Sequence, residues 1–218
     1  WMHPQRGMVP PADFIPLAET TGLISQLGEW VLEAACAQAA LWREAGVAPF
    51  RLAVNVSARE FIASLPSRVA ATLERHGLEP HWLELEITES TLMHDIEHVI
   101  DIMDQLTALG VSLSLDDFGT GYSSLSYLKR FPIDTLKIDQ SFTMGIPADA
   151  NDCAIASTII SIGQQLGHRV IAEGVETVTQ LEFLLGAGCD EVQGYYFSRP
   201  LAAEDFERAM RDDWPAPV

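Results

Sequence analysis

Two carboxylates, Asp116 and Asp117, stand side by side at the end of the apolar run Leu113-Ser114-Leu115. They are followed by Phe118-Gly119-Thr120-Gly121-Tyr122-Ser123-Ser124, a loop with two glycines and several hydroxyls. Adjacent carboxylates repel unless something positive neutralises them, and a divalent metal is the commonest neutraliser. Asn55, Glu86, Lys137, Glu173 and Gln193 occupy the same place, each at the end of its own apolar run. Four carboxylates with an amide oxygen form a hard, oxygen-rich set suited to Mg²⁺ or Mn²⁺. A pair of such ions is the usual device for in-line displacement at phosphorus. Lys137, the one cation of the group, would orient the attacking water or balance charge in the transition state.

Such residues need a scaffold that gathers them. The pattern predicts strands over Arg51–Ser57, Trp82–Thr88, Val111–Asp116, Thr135–Asp139, Arg169–Glu173 and Glu191–Gly194. Between and after them it predicts helices over Phe61–Arg75, Ile96–Leu109, Leu125–Arg130, Ala154–Leu166, Val178–Leu185 and Ala203–Met210, several stopped by a glycine. Strands alternating with helices of this length imply βαβ units and a parallel sheet. Six units fit a doubly wound sheet or most of an eight-stranded barrel. No glycine-rich dinucleotide fingerprint follows the first strand, which favours the barrel. In a parallel barrel every strand C-terminus opens on one rim, so the six polar positions would converge there. A polar residue in a strand buried on both faces is costly without a role, and six coincide here.

Upstream of the first strand, Trp1–Pro11 reads as irregular, with three prolines and a glycine. Ala12–Glu19 reads as a short helix with Phe14, Ile15 and Leu17 inward. Ser25 would cap a longer helix with the apolar stripe Leu27, Trp30, Val31, Ala34, Ala35 and Leu41, stopping at Gly46.

The 218 residues are 48% hydrophobic, which excludes a disordered chain and fits a single domain over 1–218 with a tail at 211–218. The formal charge of −18 argues against a polynucleotide-binding surface. Cys36, Cys153 and Cys189 show no metal-ligand spacing and read as small buried residues of a reducing compartment. Without a signal peptide or an 18-residue apolar run, the expectation is a cytoplasmic chain with no direct membrane insertion, or the cytoplasmic part of an anchored protein.

The motifs resemble the EAL-domain family of cyclic di-GMP phosphodiesterases. The resemblance rests on His3-Pro4, Phe14-Ile15-Pro16-Leu17-Ala18-Glu19, Gly22-Leu23-Ile24, Asn55-Val56-Ser57 and Glu86-Ile87-Thr88-Glu89. It continues through Asp116-Asp117-Phe118-Gly119-Thr120-Gly121, Leu136-Lys137-Ile138-Asp139, Ala172-Glu173-Gly174-Val175-Glu176 and Gln193-Gly194. It implies a (β/α)₈ TIM-like barrel of the EAL type, hydrolysing cyclic di-GMP to linear 5′-pGpG by in-line attack of a metal-bound hydroxide. Two Mg²⁺ or Mn²⁺ ions would be held by Asn55, Glu86, Asp116, Asp117 and Glu173. Lys137 would act in catalysis with Glu173, Glu86 and Asp116, supported by Gln193, Glu176 and Glu89, the last anchoring the glycine loop. Asn55, Asp139, Arg199 and Pro200 would contact substrate. A homodimer and an upstream sensory or GGDEF-type domain are also implied. The family's Glu-Ala-Leu motif and the first two barrel strands would lie upstream of Trp1. The sequence is therefore expected to be part of a longer chain, with hydrolysis severely impaired if that motif is absent.

Other signals are weaker. Asp117-Phe118-Gly119 matches a kinase metal-binding tripeptide, but no glycine-rich loop or His-Arg-Asp accompanies it. His94 and His98 read as a solvated helix face. Tyr122 and Tyr127 mark a candidate dimer surface. Two rival functions remain: a module that binds cyclic di-GMP without cutting it, and an enolase-like barrel using a lysine base with Mg²⁺.

Overall fold

The computed structural model describes residues 1–48, 50–89, 91, 95–120 and 125–211. The expectations placed on His94, Tyr122, the loop residues Gly121–Ser124 and the tail beyond Arg211 lie outside the described residues.

The N-terminal stretch is more ordered than its prolines suggest. Strands β1 (Met2–His3) and β2 (Gly7–Met8) pair antiparallel, and His3 Nδ1 accepts from the backbone N–H of Gln5 and Arg6 across the turn. The Trp1 ring packs edge-on against His3 and Phe14 at centroid distances of 4.9 and 6.1 Å. Helix α1 (Pro11–Thr21) follows, with proline in its first turn, where the missing N–H costs nothing. Its Leu17 is 64% exposed rather than inward, and Ala18 is its buried residue.

Helix α2 (Ile24–Glu44) corrects a second expectation. Its N-cap is Leu23, and Ser25 makes no cap bond. The buried stripe is Ile24, Leu32, Cys36, Ala39 and Trp42, with Val31 and Ala35 half-buried, while Trp30, Ala34 and Leu41 are exposed. Ser25, Gln26, Glu29, Glu33, Arg43 and Glu44 mark one polar face, but the apolar arc covers more than half of the remaining circumference, so only the neighbouring elements choose which part of it is buried.

Six parallel strands then alternate with helices: β3 (Leu52–Val56), α3 (Leu65–His76), β4 (Leu83–Thr88), α4 (Ile96–Leu109), β5 (Ser112–Phe118) and α5 (Leu125–Leu128). The series continues with β6 (Thr135–Ile138), α6 (Gln140–Thr143), α7 (Ala150–Leu166), β7 (Arg169–Ala172), α8 (Val178–Gly186), β8 (Glu191–Val192) and α9 (Ala203–Arg211). Helix α3 starts four residues later than expected. Ser57 and Glu60 close a turn first, and Pro66 sets the helical start. The short α6 was not anticipated.

Spatial order equals chain order, β3-β4-β5-β6-β7-β8, with no reversal. A doubly wound sheet needs a point where the order turns back, so this winding is that of a barrel.

Strands β4, β5 and β6 are buried on both faces, as their sequence implies, while β3 and β7 leave alternate residues exposed or half-buried. Val54, Val56, Leu85, Ile87, Leu113, Leu115, Leu136, Ile138, Val170 and Ala172 join a buried cluster with Leu32, Val69, Leu73, Ile102, Leu106 and Ile159 of the helices. The opposite face carries the polar residues, as a two-residue period requires. Near the strand starts it holds an ionic layer. Arg51 Nη1 lies 3.2 Å from Glu84 Oε2, and Arg169 Nη1 lies 3.1 Å from Glu191 Oε1. Arg51 Nη2 is also 3.9 Å from Glu191, so the start of β3 approaches that of β8 and the sheet curls on itself. On the outside, Phe206 of α9 packs on Trp42 and Phe50 at centroid distances of 4.9 and 5.4 Å. No helix among the described residues is long and apolar enough to cross a membrane.

Candidate active site

At the C-terminal ends of the strands, the inner-face side chains meet at one atom. Lys137 Nζ on β6 lies 2.6 Å from Glu86 Oε1 on β4, 2.7 Å from Glu173 Oε1 just after β7, and 3.2 Å from Asp116 Oδ1 on β5. Asn55 on β3 donates from Nδ2 to Glu86 Oε2 at 3.0 Å. Five of the residues singled out by type and spacing are thus brought together by five successive elements.

Asp117 needs a special backbone to join them. Neighbours on a strand point to opposite faces, so Asp116 and Asp117 could not both face the site on a regular strand. The β5–β6 register shifts between Leu115 and Phe118, and Asp117 sits at φ 54, in the left-handed region. Asp is among the few residues that tolerate this conformation, and bulges of this kind re-aim side chains. The Asp117 N–H donates to Asp116 Oδ1 at 3.0 Å, fixing the kink.

The electrostatics follow from the geometry. Burial pulls the Lys137 pKa down, but the charges of Glu86, Asp116 and Glu173 more than offset it and hold the ammonium protonated. Burial raises Glu86 and Glu173, with Lys137 opposing. Burial also raises Asp117, reinforced by the charges of Asp116, Asp139 and Glu173. Three carboxylates meet one ammonium, so two negative charges stay uncompensated before Asp117 is added.

That excess and the all-oxygen donors fit a hard divalent cation by charge and type. Among the described residues, however, no three His, Cys, Asp or Glu side chains are arranged as a group that could hold a metal ion. The carboxylates point at the ammonium instead.

The remaining expected residues are placed as follows. Glu89 is 4% exposed, and neither carboxylate oxygen has a hydrogen-bond partner among the described residues. Asp139 caps α6, accepting from the N–H and hydroxyl of Ser141. The side chains of Gln193 and Glu176 are exposed. Gln193 lines a cleft of about 660 Å³ with Tyr195, Arg199 and Pro200, where the Arg199 guanidinium stacks 4.6 Å over the Tyr195 ring. A second cleft of about 380 Å³ runs from Asn55 and Thr88 to Ile15, Ile24 and Leu27. Sequence reasoning missed Gln180, which is buried beside the Glu173 segment. Its signal was the Thr177-x-x-Gln180 capping pattern at the start of α8.

The EAL domain family model matches residues 1–200. The chain belongs to the EAL domain family. EAL domains have the TIM-barrel fold, in agreement with the sequential winding of β3 to β8.

Two relatives from Pseudomonas aeruginosa are similar over almost the whole EAL chain. The bifunctional diguanylate cyclase/cyclic di-GMP phosphodiesterase MucR is 51% identical over 94% of this chain and 30% of its own length. The cyclic di-GMP phosphodiesterase NbdA is 50% identical over 100% of this chain and 28% of its own. The chain thus spans less than a third of either relative. The solved MucR phosphodiesterase, in complex with c-di-GMP, superposes with a TM-score of 0.91, covering 94% of this chain and 84% of that one. Klebsiella pneumoniae BlrP1, solved as a manganese/cyclic di-GMP complex, is 28% identical with a TM-score of 0.79, covering 90% of this EAL chain and 50% of that one.

Proposed function

We propose that this EAL domain is a divalent-metal-dependent phosphodiesterase that opens cyclic di-GMP to linear pGpG. The observation that carries the reading is the convergence of Glu86, Asp116 and Glu173 on the Lys137 ammonium. The phosphodiesterase names of MucR and NbdA, at 51% and 50% identity, support it.

Asn55, Glu86, Asp116, Asp117 and Glu173 would hold two ions, Mg²⁺ or Mn²⁺, which when bound supply positive charge to the phosphoryl oxygens. The chain's own residues do the rest. Lys137, kept charged by its carboxylates, holds the attacking water in line with the phosphorus and meets the negative charge that develops there. Asn55 fixes Glu86, and Glu86 with Glu173 fixes Lys137. Asn55, Asp139, Arg199 and Pro200 are the candidate substrate contacts, with Gln193, Glu89 and Glu176 as support. Homodimerisation and coupling to a sensory or GGDEF-type domain belong to the same reading.

The rival reading is a receptor that binds cyclic di-GMP without cutting it. Hydrolysis assays with Mn²⁺ separate the two. The Glu86→Ala and Lys137→Ala variants should each lower kcat by about a hundredfold or more. In a full-length chain that includes the upstream Glu-Ala-Leu motif, unchanged hydrolysis in either variant would sink the phosphodiesterase mechanism, and tight binding without turnover would establish the receptor.

A further inference from the structure

Glu173, Gly174, Val175 and Glu176 leave the end of β7, and this segment must keep a fixed position for Glu173 to reach Lys137. Two glycines let it pack closely. A Cβ at Gly174, whose φ is 72, would lie 2.6 Å from the Gln140 Cβ, and one at Gly194 would lie 2.1 Å from the Val175 carbonyl oxygen. A side chain, Gln180, supplies the polar hold. It is 6% exposed, in the first turn of α8.

Three of the five hydrogen bonds of Gln180 are made with Thr177 in a capping box, one of them donated by the Thr177 hydroxyl to Oε1 at 3.1 Å. The Gln180 N–H donates to Thr177 Oγ1 at 3.3 Å, and its Oε1 accepts from the Thr177 N–H at 2.9 Å. These bonds serve the helix start alone. Two others do not. Oε1 also accepts from the Glu176 N–H at 2.8 Å. Nε2 donates to the Thr143 carbonyl at 3.1 Å, at the end of α6, the helix that Asp139 caps. One buried amide therefore joins the segment after β7 to the helix after β6.

The residue type separates the two roles. A glutamate here would make the same capping box and suit the positive end of the helix dipole at least as well. It has no N–H to give Thr143. Only the tie to α6 requires the amide.

We propose that Gln180 is a positioning residue of the site: by tying the Glu173–Glu176 segment to α6 it holds Glu173 against Lys137. The role in turnover rests on the phosphodiesterase reading above.

Two variants divide the bonds between them. Gln180→Glu keeps the box and loses the donor to Thr143, while Thr177→Ala weakens the box and keeps that donor. Each is compared with the unaltered protein for melting temperature and steady-state hydrolysis. The third readout, taken without substrate, is the Mn²⁺ concentration giving half-maximal thermal stabilisation. Gln180→Glu should lower kcat and raise the Mn²⁺ midpoint, each on the order of tenfold, with KM within about twofold. Thr177→Ala should lower the melting temperature and leave kcat and the Mn²⁺ midpoint near the unaltered values. If Gln180→Glu does not fold, Gln180→Met replaces it with the same expectations. An unchanged Mn²⁺ midpoint at position 180, or losses in both variants that simply track melting temperature, would reduce Gln180 to a helix cap and overturn the proposal. All variants are made in the full-length chain; if it takes up Mn²⁺ but does not hydrolyse cyclic di-GMP, the phosphodiesterase reading fails and the midpoint comparison still decides on Gln180.

Discussion

Removing the Lys137 ammonium would leave Glu86, Asp116 and Glu173 facing one another in a nearly dry space. Their side chains are 10, 12 and 22% exposed, so water would relieve little of the repulsion. Losing one partner of a buried ionic group costs about 3–5 kcal/mol, and Lys137→Met should destabilise the metal-free protein by that much in urea at pH 8. The sign of its pH dependence follows from the carboxylates. The folded pKa values of Glu86 and Glu173 are raised, so their charged forms oppose folding, and the penalty is relieved as pH falls through those values. The deficit of Lys137→Met should therefore shrink toward pH 5; a constant deficit would mean that packing alone was lost. At this scale the sequence was informative about residue type and strand position, which set Asn55, Glu86, Asp116, Lys137 and Glu173 at the site. It was silent on the positive φ that brings Asp117 round, since a single left-handed residue leaves no periodic trace. It was equally silent on Gln180, whose decisive partner is a backbone carbonyl distant in the chain.

The elements were legible where one period dominates. Helix α4 occupies the predicted Ile96–Leu109 because apolar residues recur on one face and Gly110 stops it. Helix α2 was misread because its apolar arc is wider than the face its neighbours bury, and the inner ionic layer was missed because its partners stand on or beside different strands, distant in the chain. How α2 is fixed suggests a test. Its Glu33 accepts from Arg75 Nη1 at 2.6 Å and pairs with His76 Nε2 at 2.8 Å, clasping the last turn of α3. The hydrogen bonds from Arg75 and His76 hold the Glu33 pKa below the usual carboxylate value. A depressed acid stabilises the fold above its unfolded pKa and loses that contribution as pH falls through its folded pKa. The pair is solvent-screened, so Glu33→Gln should cost less than about 1 kcal/mol at pH 7. The two proteins should become equally stable in thermal melts near pH 3, and a gap that persists there would point to packing instead.

For the whole molecule, a formal charge of −18 meets a substrate that is itself anionic in the proposed reaction. At low ionic strength the chain repels such a ligand over distances comparable to the Debye length, and only the site's cations reverse the sign locally. With metal saturating, kcat/KM should rise a few-fold between roughly 10 and 150 mM salt, the reverse of the usual steered association. A fall over that range would show that local cations govern the approach. The barrel class was accessible from the sequence because its units repeat. The Arg51–Glu191 contact was not, because it joins residues far apart in the chain, beside the first and last strands of the sheet.

The sequential order of β3 to β8 also bears on how the molecule comes into being. Each of β4 to β8 hydrogen-bonds to the strand before it in the chain, so none of these waits for a distant partner to be synthesised. Contacts between consecutive units keep loop-closure entropy small and favour rapid folding. On the ribosome, each βα unit can dock on its predecessor as it emerges, and the sheet is laid down in the order of translation. Contacts that must wait include Arg51 with Glu191 and Phe206 on Trp42, which join elements far apart in the chain and form only once β8 and α9, respectively, have emerged.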